Sequence, residues 1–225
     1  MAKIFPPPNR DGHPADGPRR LSAGQRRLQL FDVALSLFAA RGYRSTTMDD
    51  IAEAAGVTKP LLYQHFSSKR ALYLELVETA AQSLVHEIAQ ATSAAAGPRQ
   101  QVEDGFAAYF RFLVAHQAAF RLLYGRDAEA DDPELGNALR KVEDTIAMAI
   151  DPLIDAGLDD EHRRLLSYAV VGMAEGASRH WIQNGRQSAS HQAPPTDGGA
   201  AEPARRMAAR VADLAWAGLR SVHAD

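Results

Sequence analysis

Between Thr46 and Lys69 the chain reads TTMDDIAEAAGVTKPLLYQHFSSK. Thr58, Lys59, Tyr63, Gln64, His65 and Lys69 supply hydroxyl, ammonium, amide and imidazole groups, the donors that hold phosphate and read base edges. Lys59 can donate to guanine O6 or N7 in a major groove. Lys69 joins a positive charge to the free amides of a helix start, a natural anion site. Leu62 and Phe66, four residues apart, supply the buried face of this short segment, so Leu61 either points to the groove, where it suits a thymine methyl, or packs against its neighbours. Asp49 carries the wrong charge for phosphate. It can accept from cytosine N4, but the plainer expectation is a carboxylate facing solvent near a helix start.

Two short helices joined by a tight turn must hold these groups. Thr47 with Asp50 three residues on has the capping-box spacing, and Met48, Ile51, Ala52 and Ala55 then share one face. Gly56 can take a positive φ and stop that helix, with Val57 turning inward. Thr58 is placed to cap the second helix, and Pro60 sits in its first turn, where a missing amide hydrogen costs little. Ahead of them, Ser22 caps a helix whose face is Leu28, Phe31, Ala34, Leu35 and Phe38, ended by Gly42, with Tyr43 at the joint.

The stretch RRLQLFDVALSLFAARGYRSTTMDDIAEAAGVTKPLLYQHFSSKRALYLEL resembles the DNA-binding domain of the TetR family of transcriptional regulators. The FAARGYRSTT, IAEAAGV and LYQHFSSK pieces occur in register, which makes the resemblance specific. KPLLYQHFSSK, FRLLYGRD, VGMAEGASRHW and AWAGLRSV are similar to the acyl-CoA-sensing branch that controls fatty-acid synthesis. The resemblance implies phosphate contacts from Thr47, Tyr63, His65 and Lys69. With Thr58, Lys59, Pro60, Leu61 and Gln64 these form the expected DNA-reading set. Some relatives carry an arginine where Asp49 stands.

Composition agrees with an all-α protein: Ala-rich helical runs dominate and alternating strand patterns are nearly absent. The chain has no cysteine, so neither disulfides nor Cys-based zinc sites are available, and no cofactor is expected. The first twenty residues lack the apolar core of a secretory signal, and no later run is long enough to span a membrane, so a cytoplasmic location is expected. Net charge is −3 over 225 residues, but unevenly spread. Residues 1–70 hold eleven Lys and Arg against six Asp and Glu, a balance of +5, which leaves −8 for the remainder. A basic head on an acidic body meets phosphate with one end.

The domain organisation expected is an arm over 1–22, a three-helix helix–turn–helix domain over 23–69, and a helical ligand-binding and dimerisation domain over 70–225. In the arm, Arg10, Arg19 and Arg20 either follow the DNA backbone or stay solvated. A helix from Ser68 to about Ser93 links head and body. Residues 99–126 form a second amphipathic run, dense in rings: Phe106, Tyr109, Phe110, Phe112 and Leu113, then Phe120, Leu123 and Tyr124. Each ring alone reads as core, but together they suggest an apolar pocket, with Ile146, Ile150 and Met173 contributing from later helices. An acidic loop follows at Asp127–Asp132. Arg179 and His180 either meet a ligand headgroup or cap a helix end.

Residues 160–184 and 204–222 are expected as two final helices around a flexible loop, 186–203. Tyr168, Gly172, Gly176 and Trp181 on the first, and Val211, Leu214 and Leu219 on the second, are the expected homodimer interface. In the family such helices pair with their symmetry mates as a four-helix bundle. The function implied is a ligand-responsive regulator, read as a repressor, that binds a palindromic DNA operator as a dimer. Its effector would be small and hydrophobic, such as a fatty acyl-CoA. The alternatives are an activator of lipid-metabolism genes or an acyl-ligand scaffold that does not bind DNA. An enzyme is disfavoured, because no phosphate loop, metal-binding histidine pair or nucleophile elbow is present.

Overall fold

The computed structural model describes residues 21–124, 133–154, 157–189 and 201–222, and among them helices alone. They run α1 (Ala23–Arg41), α2 (Met48–Ala54), α3 (Lys59–His65), α4 (Lys69–Ser93), α5 (Pro98–Ala115), α6 (Gln117–Tyr124), α7 (Pro133–Ile150), α8 (Asp160–Ala189) and α9 (Ala201–Leu219). One 3-10 turn, Asp151–Leu153, follows α7. Residues 1–20 of the expected arm, the acidic loop Asp127–Asp132 and residues 190–200 lie outside the described residues.

The helix starts and stops are written locally. Ser22 and Gln25 form a capping box on α1, and Thr47 and Asp50 form another on α2. Gly42 and Gly56 end the two helices at φ 80° and 64°, values that favour glycine. After α2 the Gly56 amide donates to the Glu53 carbonyl and the Val57 amide to that of Ala52, the paired bonds of a Schellman ending. The Ser68 hydroxyl accepts from the Ala71 amide and opens α4. Thr58 departs from expectation: it stands at the N-cap of α3 in an extended conformation, but its side chain makes no capping bond.

The described residues pack as two compact units. One takes the described parts of 1–80 and 118–139, the other those of 81–117 and 140–225, so α4 and α7 each contribute to both. In the first unit Leu30, Phe31, Ala34, Leu35 and Phe38 of α1 are buried against Ile51, Leu62 and Phe66. Leu28, expected on this face, is exposed and Leu30 is buried in its stead. The inward ladder on α1 is 30, 31, 34, 35 and 38, whose centre lies about a quarter-turn round the helix from Leu28. Tyr43 does pack at the joint, its ring 5.9 Å from Phe38 and 4.8 Å from Tyr73.

In the second unit α5 lies along α9. Ala204, Ala208, Ala212 and Ala215 are buried on α9 at helical spacing, and side chains this small allow close approach. The single run expected over 99–126 is two helices, because the chain turns at His116, whose amide closes α5 on the Phe112 carbonyl, 2.8 Å. The loop expected over 186–203 is shorter at both ends, since α8 continues to Ala189 and α9 begins at Ala201. No described helix is long and apolar enough to cross a membrane.

Candidate functional site

α3 has one dry side and one wet side. Leu62 and Phe66 are buried, while Thr58, Lys59, Pro60, Tyr63 and Gln64 are exposed together on the opposite face. Positions 59, 60, 63 and 64 share that face by the 3.6-residue period. Leu61 and His65 are half-buried along its edges, with the His65 ring 6.5 Å from Phe66. A short helix presenting Lys, Tyr and Gln beside an open hydroxyl matches the donors and acceptors of a DNA groove.

Three residues of the expected set are engaged within the chain. The Thr47 hydroxyl donates to Asp50 Oδ2 at 2.6 Å and accepts from the Asp50 amide, so capping takes the proton it would offer a phosphate. That pairing holds the Asp50 carboxyl below its ordinary value. Lys69 points inward: its Nζ donates to the carbonyls of Tyr43, 3.0 Å, and Thr46, 2.9 Å, and stands 4.3 Å over the Tyr43 ring. Burial there pushes its ammonium below the usual lysine value. Lys69 thus ties the α1–α2 connection to the start of α4, with two of its three donors committed to main chain.

Asp49 does not simply face solvent. Its carboxylate pairs with Lys59 at 2.8 Å, raising the lysine's pKa. No short-range spacing links the two residues. They are ten positions apart, and only the turn between α2 and α3 brings them together. Behind the reading helix, Arg27 makes a two-toothed bond to Glu75, 2.7 and 2.9 Å, and lies 4.5 Å over the Phe66 ring. It fixes the end of α3 between α1 and α4.

The second unit holds a cavity of about 330 Å³. From α5 come Val102, Gly105, Phe106 and Tyr109, an i, i+3, i+4, i+7 face. Ile88 and Thr92 come from α4, and Ile146, Ile150, Leu153 and Ile154 from α7 and the turn after it. Val170, Val171 and Ala174 of α8 complete the wall with Trp216, Leu219 and Arg220. Arg220, exposed just beyond α9, is the one formally charged residue in this lining and has no side-chain partner among the described residues. Tyr109 accepts at 3.4 Å from Ser178, which is fully buried.

Of the residues expected to line a pocket, Phe106, Tyr109, Ile146 and Ile150 do so. Phe110 and Leu113 are buried but do not line the cavity: Phe110 falls on the flank of the lining stripe, and Leu113 lies on that stripe one turn beyond Tyr109, the last lining residue of α5. Phe120, Leu123 and Tyr124 belong to the first unit, with Phe120 and Tyr124 tilted ring on ring at 4.6 Å. Met173 and Arg179 do not line the cavity, and Arg179 pairs with Glu175 one turn back. Thr92, Val102 and Arg220 are among the lining residues not expected from the sequence, although each stands one turn from another lining residue, Ile88, Phe106 and Trp216 respectively.

Among the expected interface residues, Tyr168, Gly172 and Gly176 share an exposed face of α8, and Leu214 on α9 is 65% exposed. A Cβ added at Gly172 or Gly176 would meet nothing within 4 Å. Leu165 on the same face of α8 is 66% exposed. Trp181 and Val211 are half-buried, whereas Leu219 is turned to the cavity, because five residues carry it about 140° round α9 from Leu214.

Known proteins share both the sequence of the head and the arrangement of helices. The family described as "Bacterial regulatory proteins, tetR family" matches residues 30–76. The HTH-type transcriptional activator FasR of Mycolicibacterium smegmatis is 34% identical over 178 residues, covering 77% of this chain and 81% of FasR. The HTH-type transcriptional repressor KstR2 of the same species is 28% identical over 148 residues, 65% of this chain and 72% of KstR2. Among solved structures, the fatty acid degradation regulator FadR of Bacillus halodurans superposes with a TM-score of 0.71 at 20% identity, over 89% of this chain and 99% of that one. FadR of Bacillus subtilis in complex with stearoyl-CoA gives 0.68 at 16% identity, over 87% and 99%. A helix–turn–helix with its polar side open, on a helical body of the same fold, thus places this chain in the tetR family of bacterial transcription regulators, DNA-binding proteins and not enzymes.

Proposed function

We propose that this regulator binds a palindromic operator as a homodimer and changes its hold on DNA when an acyl chain enters the cavity of the second unit. The observation that carries the reading is that cavity: about 330 Å³, walled by aliphatic and aromatic side chains, with one arginine, Arg220, among them. An apolar site with one cation suits an amphiphile that has an aliphatic tail and an anionic end. A relative named FasR and a fold neighbour solved with stearoyl-CoA support an acyl-CoA as the ligand to try first. α4 supplies Ile88 and Thr92 to the cavity wall, and its Ser68-capped end follows the reading helix directly. A ligand that favours one arrangement of α4 would therefore favour one placement of the head.

The open face of α8, with Leu165, Tyr168, Gly172 and Gly176, and Leu214 of α9 support a twofold dimer built on these two helices. Two heads on one dimer match two half-sites a helical turn apart. We read the protein as a repressor released by its ligand. The second reading, activation, is favoured by the relative that spans most of the chain, which is named an activator.

Native mass spectrometry of the purified protein tests both parts. A dimer that gains the mass of one acyl-CoA per chain, and whose binding to operator DNA then changes, supports the reading. A monomer removes the two-headed arrangement. A dimer indifferent to acyl-CoA removes the effector. The direction of change on DNA separates release from recruitment.

A further inference from the structure

Lys59 Nζ lies 2.8 Å from Asp49 Oδ1 and 3.0 Å from Oδ2, so one ammonium bridges both carboxylate oxygens. The pair joins the first turn of α2 to the first residue of α3, on the exposed side of the head. The side chains are 52% and 67% exposed, and an ion pair so wetted adds little to the fold. The neighbouring Asp50 is taken up by Thr47 and lies 3.6 Å from Arg41, so Asp49 is the carboxylate that answers Lys59. Tyr63, one turn along α3 from Lys59, is exposed on the same face.

An unpaired ammonium at the start of a reading helix would bind any phosphate, whatever the sequence. With Asp49 against it the local charge is cancelled, and the carboxylate repels the backbone. Two of the lysine's three donors are occupied, leaving one, while the carboxylate oxygens keep lone pairs to accept with. In the major groove a G·C pair sets guanine O6 and N7, which accept, beside cytosine N4, which donates. The bridged pair offers the converse: a donor and an acceptor side by side.

We propose that Asp49 and Lys59 act as one specificity device: Asp49 withholds Lys59 from indiscriminate phosphate binding, and together they select a G·C pair in each half-site, Lys59 donating to guanine and Asp49 accepting from cytosine N4. Asp49 is thereby a specificity-determining residue, although its charge is wrong for DNA. The proposal rests on the DNA-binding role of the head and needs no effector.

The test uses the full chain and a labelled pool of random-sequence duplexes of about three helical turns, titrated over a range of salt. Asp49→Asn keeps an acceptor of the same shape but frees the lysine charge. It is expected to tighten binding to the pool several-fold at low salt and to steepen the log–log salt slope by about one. Adding Lys59→Met to that variant should cancel both gains. Sequencing of the duplexes retained by the unaltered protein should show a fixed G·C pair in each half-site, at which Asp49→Asn loosens the choice. Asp49→Glu, which keeps the charge, should retain the original slope. An unchanged slope and pool affinity in Asp49→Asn would overturn the proposal, as would loosening at no position. If the unaltered protein bound the pool with no salt dependence, the DNA role of the head would fall and this proposal with it. Matching thermal unfolding of all variants separates these outcomes from loss of fold.

Discussion

In the head, Leu30, Ile51 and Leu62 are fully buried, and the Phe31 and Phe66 rings stack at 6.4 Å. In the second unit, side chains just as apolar stand around about 330 Å³ of space. Both regions follow the same burial rule, so the difference lies in what each must do. The head offers a fixed surface to a rigid partner, and its geometry is held by caps, the half-buried Lys69 and the Arg27–Glu75 clasp. The second unit forgoes packing contacts that a filled core would make. What it retains is a place where a guest can supply them. A regulator needs both: one region whose shape does not vary and another whose packing is incomplete until a ligand arrives.

The contrast can be broken most sharply at Leu62. Leu62→Ala removes the buried side of the reading helix and should destabilise the head by about 2–5 kcal/mol, read by denaturant unfolding, with loss of DNA binding. Lys69→Met comes next, because it leaves the Tyr43 and Thr46 carbonyls without their donor. It should cost about 1–3 kcal/mol. A substitution that lowered the salt slope of DNA binding by a full unit with no change in stability would instead support the phosphate contact expected of Lys69.

On the other side of the comparison, Ala174→Phe pushes a ring into the cavity. If that space is there for a guest, the change in stability should stay within about 1 kcal/mol, since the ring replaces void rather than neighbours. DNA binding should persist and its response to acyl-CoA should vanish. A large destabilisation would mean that this wall is as tightly packed as the head.

The smallest effect concerns acid. Thr47 holds the Asp50 carboxyl below its ordinary 3.8, so the folded state binds this proton less readily than the unfolded chain. That contribution is present above the unfolded value and is lost as pH falls through the folded one. Asp32, raised by burial, acts in the opposite sense. The difference in melting temperature between Asp50→Asn and the unaltered protein should therefore shrink between about pH 5 and pH 3.

Much of the head was legible because its instructions are local. Thr47 and Asp50 sit three residues apart, Gly56 ends α2 where a positive φ is needed, and Leu62 and Phe66 mark the dry side of α3; each signal acts within one turn of its own residue. The cavity was half legible. Phe106 and Tyr109 lie on the face of α5 that lines it, but Leu113 on the same stripe falls one turn past the last lining residue and Phe110 on its flank, because the helical period does not say how far along a helix a cavity extends. Arg220 lies within AWAGLRSV, one turn beyond Trp216, yet nothing in that stretch alone turns it to a cavity.

By itself the sequence determined the helices of the head, their ends and the polar face of α3, because capping, glycine conformation and amphipathic period are short-range effects. Only the tertiary structure decided which donors remain open to a partner. Lys69 and Lys59 look alike in the chain, yet one turns in to the carbonyls of the α1–α2 connection while the other meets Asp49 across the turn. The partner of a charge is set by which elements pack side by side, and no spacing along the chain encodes that.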